Sequence, residues 1–142
     1  MKLTNNLSFE SLIQMHEDQY EHRYDEYQLE ELRDGYDNGL DISIYANPAF
    51  DRVQMSLIRL GIENNIDINK YAFIEYNYYL MEIIYELLRH GAHFDRYVLR
   101  DHLDIDKLIK DHDKLCSRTR LRPLSNWGRA TIHDDAPYYV KR

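Results

Sequence analysis

A chain of 142 residues that is 44% hydrophobic and 30% charged has room for one core and needs no metal or disulfide to hold it, because about two-thirds of the extended chain's surface is buried at this size. The single cysteine, Cys116, excludes an intramolecular disulfide and fits a reducing compartment, while five glycines and three prolines are too few for an all-β chain. Twenty-five acids against 18 lysines and arginines give a net charge of −7, no apolar run reaches the ~20 residues of a membrane span, and the opening MKLTNNLSFESL lacks a signal-peptide core, so the expectation is an acidic cytoplasmic protein.

The first predicted element is a helix over residues 8–27, with Ser8 as its cap. Phe9, Leu12, Ile13, His16, Tyr20, Tyr24 and Tyr27 follow at spacings of three and four, which places them on one face. Glu10, Glu17, Asp18, Glu21 and Asp25 take the other, so the helix presents an acidic surface.

From Gln28 onward the chain resembles itself at a shift of 26 residues. Gln28, Leu32, Arg33, Gly35, Asp41, Ile42, Tyr45 and Ala46 correspond to Gln54, Ile58, Arg59, Gly61, Asp67, Ile68, Tyr71 and Ala72. A degraded third copy places Met81, Ile84, Leu88, Gly91, Phe94 and Tyr97 at the same interval. The predicted units are residues 28–53, 54–79 and 80–105, each a helix, a tight turn and a short second element. In the second unit Asn47-Pro48 reads as a helix start. Asp41 and Asp67 read as caps of single turns whose isoleucine and tyrosine point inward. The third helix, residues 73–90, has the widest apolar face and is expected to be central. Such units cannot bury their faces alone, so the predicted fold is all-α: a small helical-repeat bundle or short solenoid occupying residues 1–113.

The remaining segment, residues 114–142, reads as a basic and partly extended tail. Residues 1–37 carry ten acids and three bases, whereas residues 107–142 carry four acids and nine bases, so the uniform acidity of the composition resolves into an acidic body and a basic end. Arg118, Arg120 and Arg122 alternate as on a strand, with Trp127 and Arg129 following. Guanidinium groups interleaved with an aromatic suit either a phosphate backbone or a protein interface.

No chemistry-bearing motif accompanies these features. His90, His93 and His102 are the nearest approach to a metal set, but Gly91 interrupts the helical spacing and neither HExxH nor CxxC occurs, so no metal and no cofactor is expected. Cys116 has Arg118 and Arg120 nearby but no identified base. An enzyme is not expected.

The pattern from Gln54 to Ala72, with Gln-Met, Ile-Arg, Gly-Ile, Asp-Ile-Asn and Tyr-Ala in order, resembles a short tandem helical repeat of phage and mobile-element proteins from Gram-positive bacteria, over about residues 27 to 98. Small acidic proteins of such elements resemble anti-CRISPR and other anti-defence proteins. The resemblance implies an inhibitor of a host nucleic-acid-handling enzyme, such as a defence nuclease, acting by protein–protein binding in the host cytoplasm. The candidate partner-binding residues are Glu17, Asp18, Glu21 and Asp25 on the first helix, and Arg118, Arg120, Arg122, Trp127 and Arg129 on the tail. Two alternatives stand beside this reading: a nucleic-acid-binding regulator working through the tail, and a helical-repeat adaptor that self-associates as a homodimer.

Overall fold

In the computed structural model, which describes residues 7–134 and 138–140, side-chain caps decide where helices begin. Ser8 accepts from the Ser11 N–H and opens α1, Phe9–Tyr20. Asp25 opens α2, Glu26–Asp37, through a reciprocal capping box: the Gln28 N–H donates to Asp25 at 2.7 Å and the Asp25 N–H donates to the Gln28 side chain at 2.9 Å. The same box recurs 26 residues on, where Asp51 and Gln54 exchange bonds of 2.9 Å at the start of α3, Arg52–Glu63. After a further 26 residues Asn77 caps α4, Tyr78–Arg89, but Leu80 stands in the glutamine position and returns no bond.

These boxes correct two expectations. The helix expected over residues 8–27 stops at Tyr20, where Glu21 turns left-handed (φ 53°), and Asp25 starts a second helix. The unbroken apolar stripe hides this break, because Tyr24 is buried in the link just as it would be on a helix, its hydroxyl donating to the Ala46 carbonyl. Asn47-Pro48 forms a turn instead of the start of α3: the Ala49 N–H donates to the Asn47 side chain, and the helix waits for Asp51.

Each of α2, α3 and α4 is followed by a left-handed residue, Gly39, Asn65 or Gly91, and then by a short 3₁₀ turn: Ile42–Ile44, Ile68–Lys70 and Phe94–Tyr97. Asp41 and Asp67 accept from the N–H two residues on and cap the first two turns as expected, while His93 makes no such bond at the third. The turn tyrosines Tyr45, Tyr71 and Tyr97 are fully buried.

The chain divides between Leu60 and Gly61 into two compact units. In the first, Leu12, Ile13, Leu32, Ile42, Tyr45, Phe50, Met55 and Ile58 are core residues. Glu31, nearly buried, receives the Arg59 Nε at 3.0 Å. In the second unit α4 packs against α5, Ile105–Arg118, and α6, Asn126–Asp134. Met81, Ile83 and Ile84 of α4, Leu108 of α5 and Ile132 of α6 are buried there. A hairpin of two-residue strands, β1 (Val98–Leu99) and β2 (His102–Leu103), links the last 3₁₀ turn to α5, with Arg100 left-handed at its tip.

The architecture is therefore mostly helical, with only this small sheet among the described residues. The boundary expected between residues 113 and 114 falls inside a helix: α5 runs through that position, and Arg118 is its last residue instead of the first of an alternating strand. Only the link from Thr119 to Ser125 lacks helical structure before α6.

Candidate partner-binding surfaces

The four acidic residues predicted as a contact surface lie together where α1 gives way to α2, and two of them are held there by backbone-directed bonds. Glu17 accepts the Tyr24 N–H at 3.1 Å, closing the link from inside, and Asp25 caps α2. Asp18 is held by the Gln14 side chain at 2.9 Å, and Glu21 carries the left-handed stop. Asp18, Glu21 and Asp25 are exposed and Glu17 is half-buried. Among the described residues none of the four has a lysine, arginine or histidine within ion-pair distance. A shallow cleft runs along this ledge, lined by Gln14, Glu17, Asp18, Glu21, His22 and Arg23.

The basic residues are not one surface. Arg129 is committed to Asp113, its guanidinium 2.7 Å from the carboxylate, so it ties α6 to α5. Trp127 is 68% exposed and meets Tyr79 edge-on at 5.3 Å between ring centres. That contact depends on the next residue, because a Cβ on Gly128 would lie 2.9 Å from the Tyr79 ring. Arg120 and Arg122 project from the non-helical link and are exposed. Arg118 turns toward a different neighbourhood. It lines a cleft of about 310 Å³ with Lys114 of the same helix, His90 after α4 and Arg96 of the third 3₁₀ turn. Helical spacing of four makes the Lys114–Arg118 pair readable from sequence, whereas Arg96 and His90 are brought in only by the packing of α4 and α5.

A polar cluster lies inside the second unit. His112 is buried and its pKa is held below the ordinary histidine value, chiefly by burial, with Arg129 adding to the effect and Asp113 opposing it. Cys116 lies 3.6 Å from the His112 Nδ1, and its thiol donates to the Arg122 carbonyl at 3.3 Å. Burial, followed by the charges of Asp113, Glu86 and Glu82, pushes this thiol's pKa up. Arg118 and Arg120 therefore do not activate Cys116; the thiol is a packed group that helps hold the link to α6. Glu82 and Glu86 on α4 also have raised pKa values because of burial, Glu82 further through Glu86, while Arg89 and His90 partly offset the shift of Glu86. Among the described residues no three histidine, cysteine or acidic side chains are grouped to hold a metal ion, and no helix is long and apolar enough to cross a membrane.

No family model, curated protein or solved structure matches this chain.

Proposed function

We propose that this is an interaction protein of a phage or mobile element that inhibits a host nucleic-acid-handling enzyme, and that the acidic ledge between α1 and α2 is the surface it offers. The observation that carries the reading is the set Glu17, Asp18, Glu21 and Asp25, of which Glu17 and Asp25 are held by backbone N–H groups and Asp18 by the Gln14 side chain, all four left without cationic partners among the described residues. Carboxylates fixed in this way enter a complex with little ordering cost and compete with phosphates for the lysines and arginines of a nucleic-acid groove. The segments that begin at α2, α3 and α4 are, in this reading, copies of one helical repeat, and the basic C-terminal residues are secondary to the ledge. The reading assigns the protein to the host cytoplasm and requires no catalytic group.

The test leaves Glu17 intact, because its carboxylate holds the Tyr24 N–H. Tagged wild-type protein and the double variant Asp18→Lys, Glu21→Lys are used to capture partners from host lysate, followed by inhibition assays on any nuclease recovered. Expected is capture of a nucleic-acid-handling enzyme that weakens with salt, with at least about tenfold weaker binding by the double variant. Capture and inhibition that are equal for both proteins would refute the ledge as the contact.

A further inference from the structure

The cleft in the second unit is separate from the acidic ledge, and its chemistry differs. Its walls carry three basic side chains, Arg96, Lys114 and Arg118, with His90 beside them, against a single carboxylate, Asp111. That carboxylate is already engaged twice. It accepts the Tyr97 hydroxyl at 2.8 Å, and the Arg96 guanidinium lies 3.5 Å away. Asp111 thus positions Arg96 and leaves Lys114 and Arg118 with no carboxylate partner among the described residues.

The cations are not needed to satisfy the helix ends that border the cleft. At the end of α4 the last carbonyls receive the N–H groups of His90, Gly91 and Ala92. At the end of α5 the hydroxyls of Ser117 and Thr119 donate to the Lys114 and Leu115 carbonyls at 2.8 Å. Arg118 contributes only its Nε to this arrangement, a 3.4 Å bond to the Lys114 carbonyl, so its two terminal nitrogens are not used there. Gly91, left-handed at φ 93° with nothing within 4 Å of where a Cβ would be, leaves one wall as bare backbone. Leu87 and Leu115 supply apolar lining.

We propose that this cleft binds a phosphate group, carried either by a nucleotide or by a nucleic-acid backbone. Two guanidinium forks and one ammonium surround a space whose positive charge exceeds its negative charge by two, and forked donors of this kind match phosphate oxygens in pairs. The volume of about 310 Å³ is at the lower end of small-ligand sites, enough for a phosphate with its sugar. The idea does not depend on the ledge, since the two surfaces share no residue.

The experiment uses the full-length protein at low salt and three probes: ATP, a fluorescent single-stranded 12-nucleotide DNA, and a glutamate peptide of equal charge as competitor. Two double variants are compared with wild type after circular dichroism has shown both to be folded: Lys114→Ala, Arg118→Ala within the cleft, and Arg120→Ala, Arg122→Ala outside it. Expected is binding that the cleft variant weakens at least about tenfold and the outer variant weakens no more than about threefold. Binding of ATP as well as DNA identifies a nucleotide phosphate as sufficient; binding of DNA alone identifies the backbone as the ligand. No binding of either, equal losses in the two variants, or displacement by the glutamate peptide as effective as by unlabelled DNA would each overturn the proposal.

Discussion

Tyr45 and Tyr71 lie against a glycine, and Tyr97, at the same place in the third helix-and-turn segment, does not. Gly35 on α2 and Gly61 on α3 leave no room for a side chain: a Cβ on either would collide with the tyrosine oxygen, and Ile42 or Ile68 closes in from the other side. The Tyr45 hydroxyl consequently reaches the α2 backbone and donates to the Glu31 carbonyl at 3.0 Å. In the third segment Leu87 occupies the corresponding position and is buried. With a side chain at this position in place of a bare glycine, Tyr97 donates to Asp111 on α5. One residue thus separates a turn that closes on its own helix from a turn that docks onto the next one. Burial with the Asp111 bond pushes the Tyr97 pKa up to about 12, and burial alone is the main cause of the rise at Tyr71.

The glycine–tyrosine contact is most sensitive to substitution at Gly35. Gly35→Ala should cost about 3 kcal/mol in urea melts, through overpacking against the Tyr45 oxygen. Adding Tyr45→Phe should recover about 1 kcal/mol of that loss, since the colliding atom is removed; a double variant no more stable than Gly35→Ala would show that the strain lies elsewhere. Tyr97→Phe is expected to lose about 1 kcal/mol by leaving a partly buried Asp111 without its hydroxyl partner, and the loss should vanish in an Asp111→Ala background. The smallest effects concern the caps that precede these tyrosines. Asp67→Ala should cost about 0.7 kcal/mol because the Asn69 N–H loses its acceptor, while His93→Ala should change thermal stability by no more than about 0.3 kcal/mol, as His93 caps nothing.

Much of this was legible at the level of single residues. The 26-residue interval placed Asp41 and Asp67 at turn starts and Tyr45, Tyr71 and Tyr97 in the core. The Asp-x-x-Gln spacing at Asp25 and Asp51 also announces two helix starts, a signal that Asn47-Pro48 and the continuous tyrosine stripe obscured. Of the candidate contact residues, the acidic four are adjacent in sequence and adjacent in space. The basic five separate, because Arg129 pairs with Asp113 sixteen residues back and Arg118 joins Arg96 and Lys114 in the cleft.

Local sequence sets where helices and turns begin, since a cap or a left-handed stop is a contract between residues two to five positions apart. The interval also selects the buried tyrosines Tyr45, Tyr71 and Tyr97, although Ile68 and Ala72 are less buried than their counterparts Ile42 and Ala46. Packing in three dimensions sets which polar groups meet: whether a tyrosine hydroxyl finds its own helix or an aspartate on the next, which arginines are spent on internal pairs, and which carboxylates and cations are left over to face a partner. Those outcomes depend on distances across the packed fold, where even a Cβ added at Gly35 would collide with the Tyr45 oxygen.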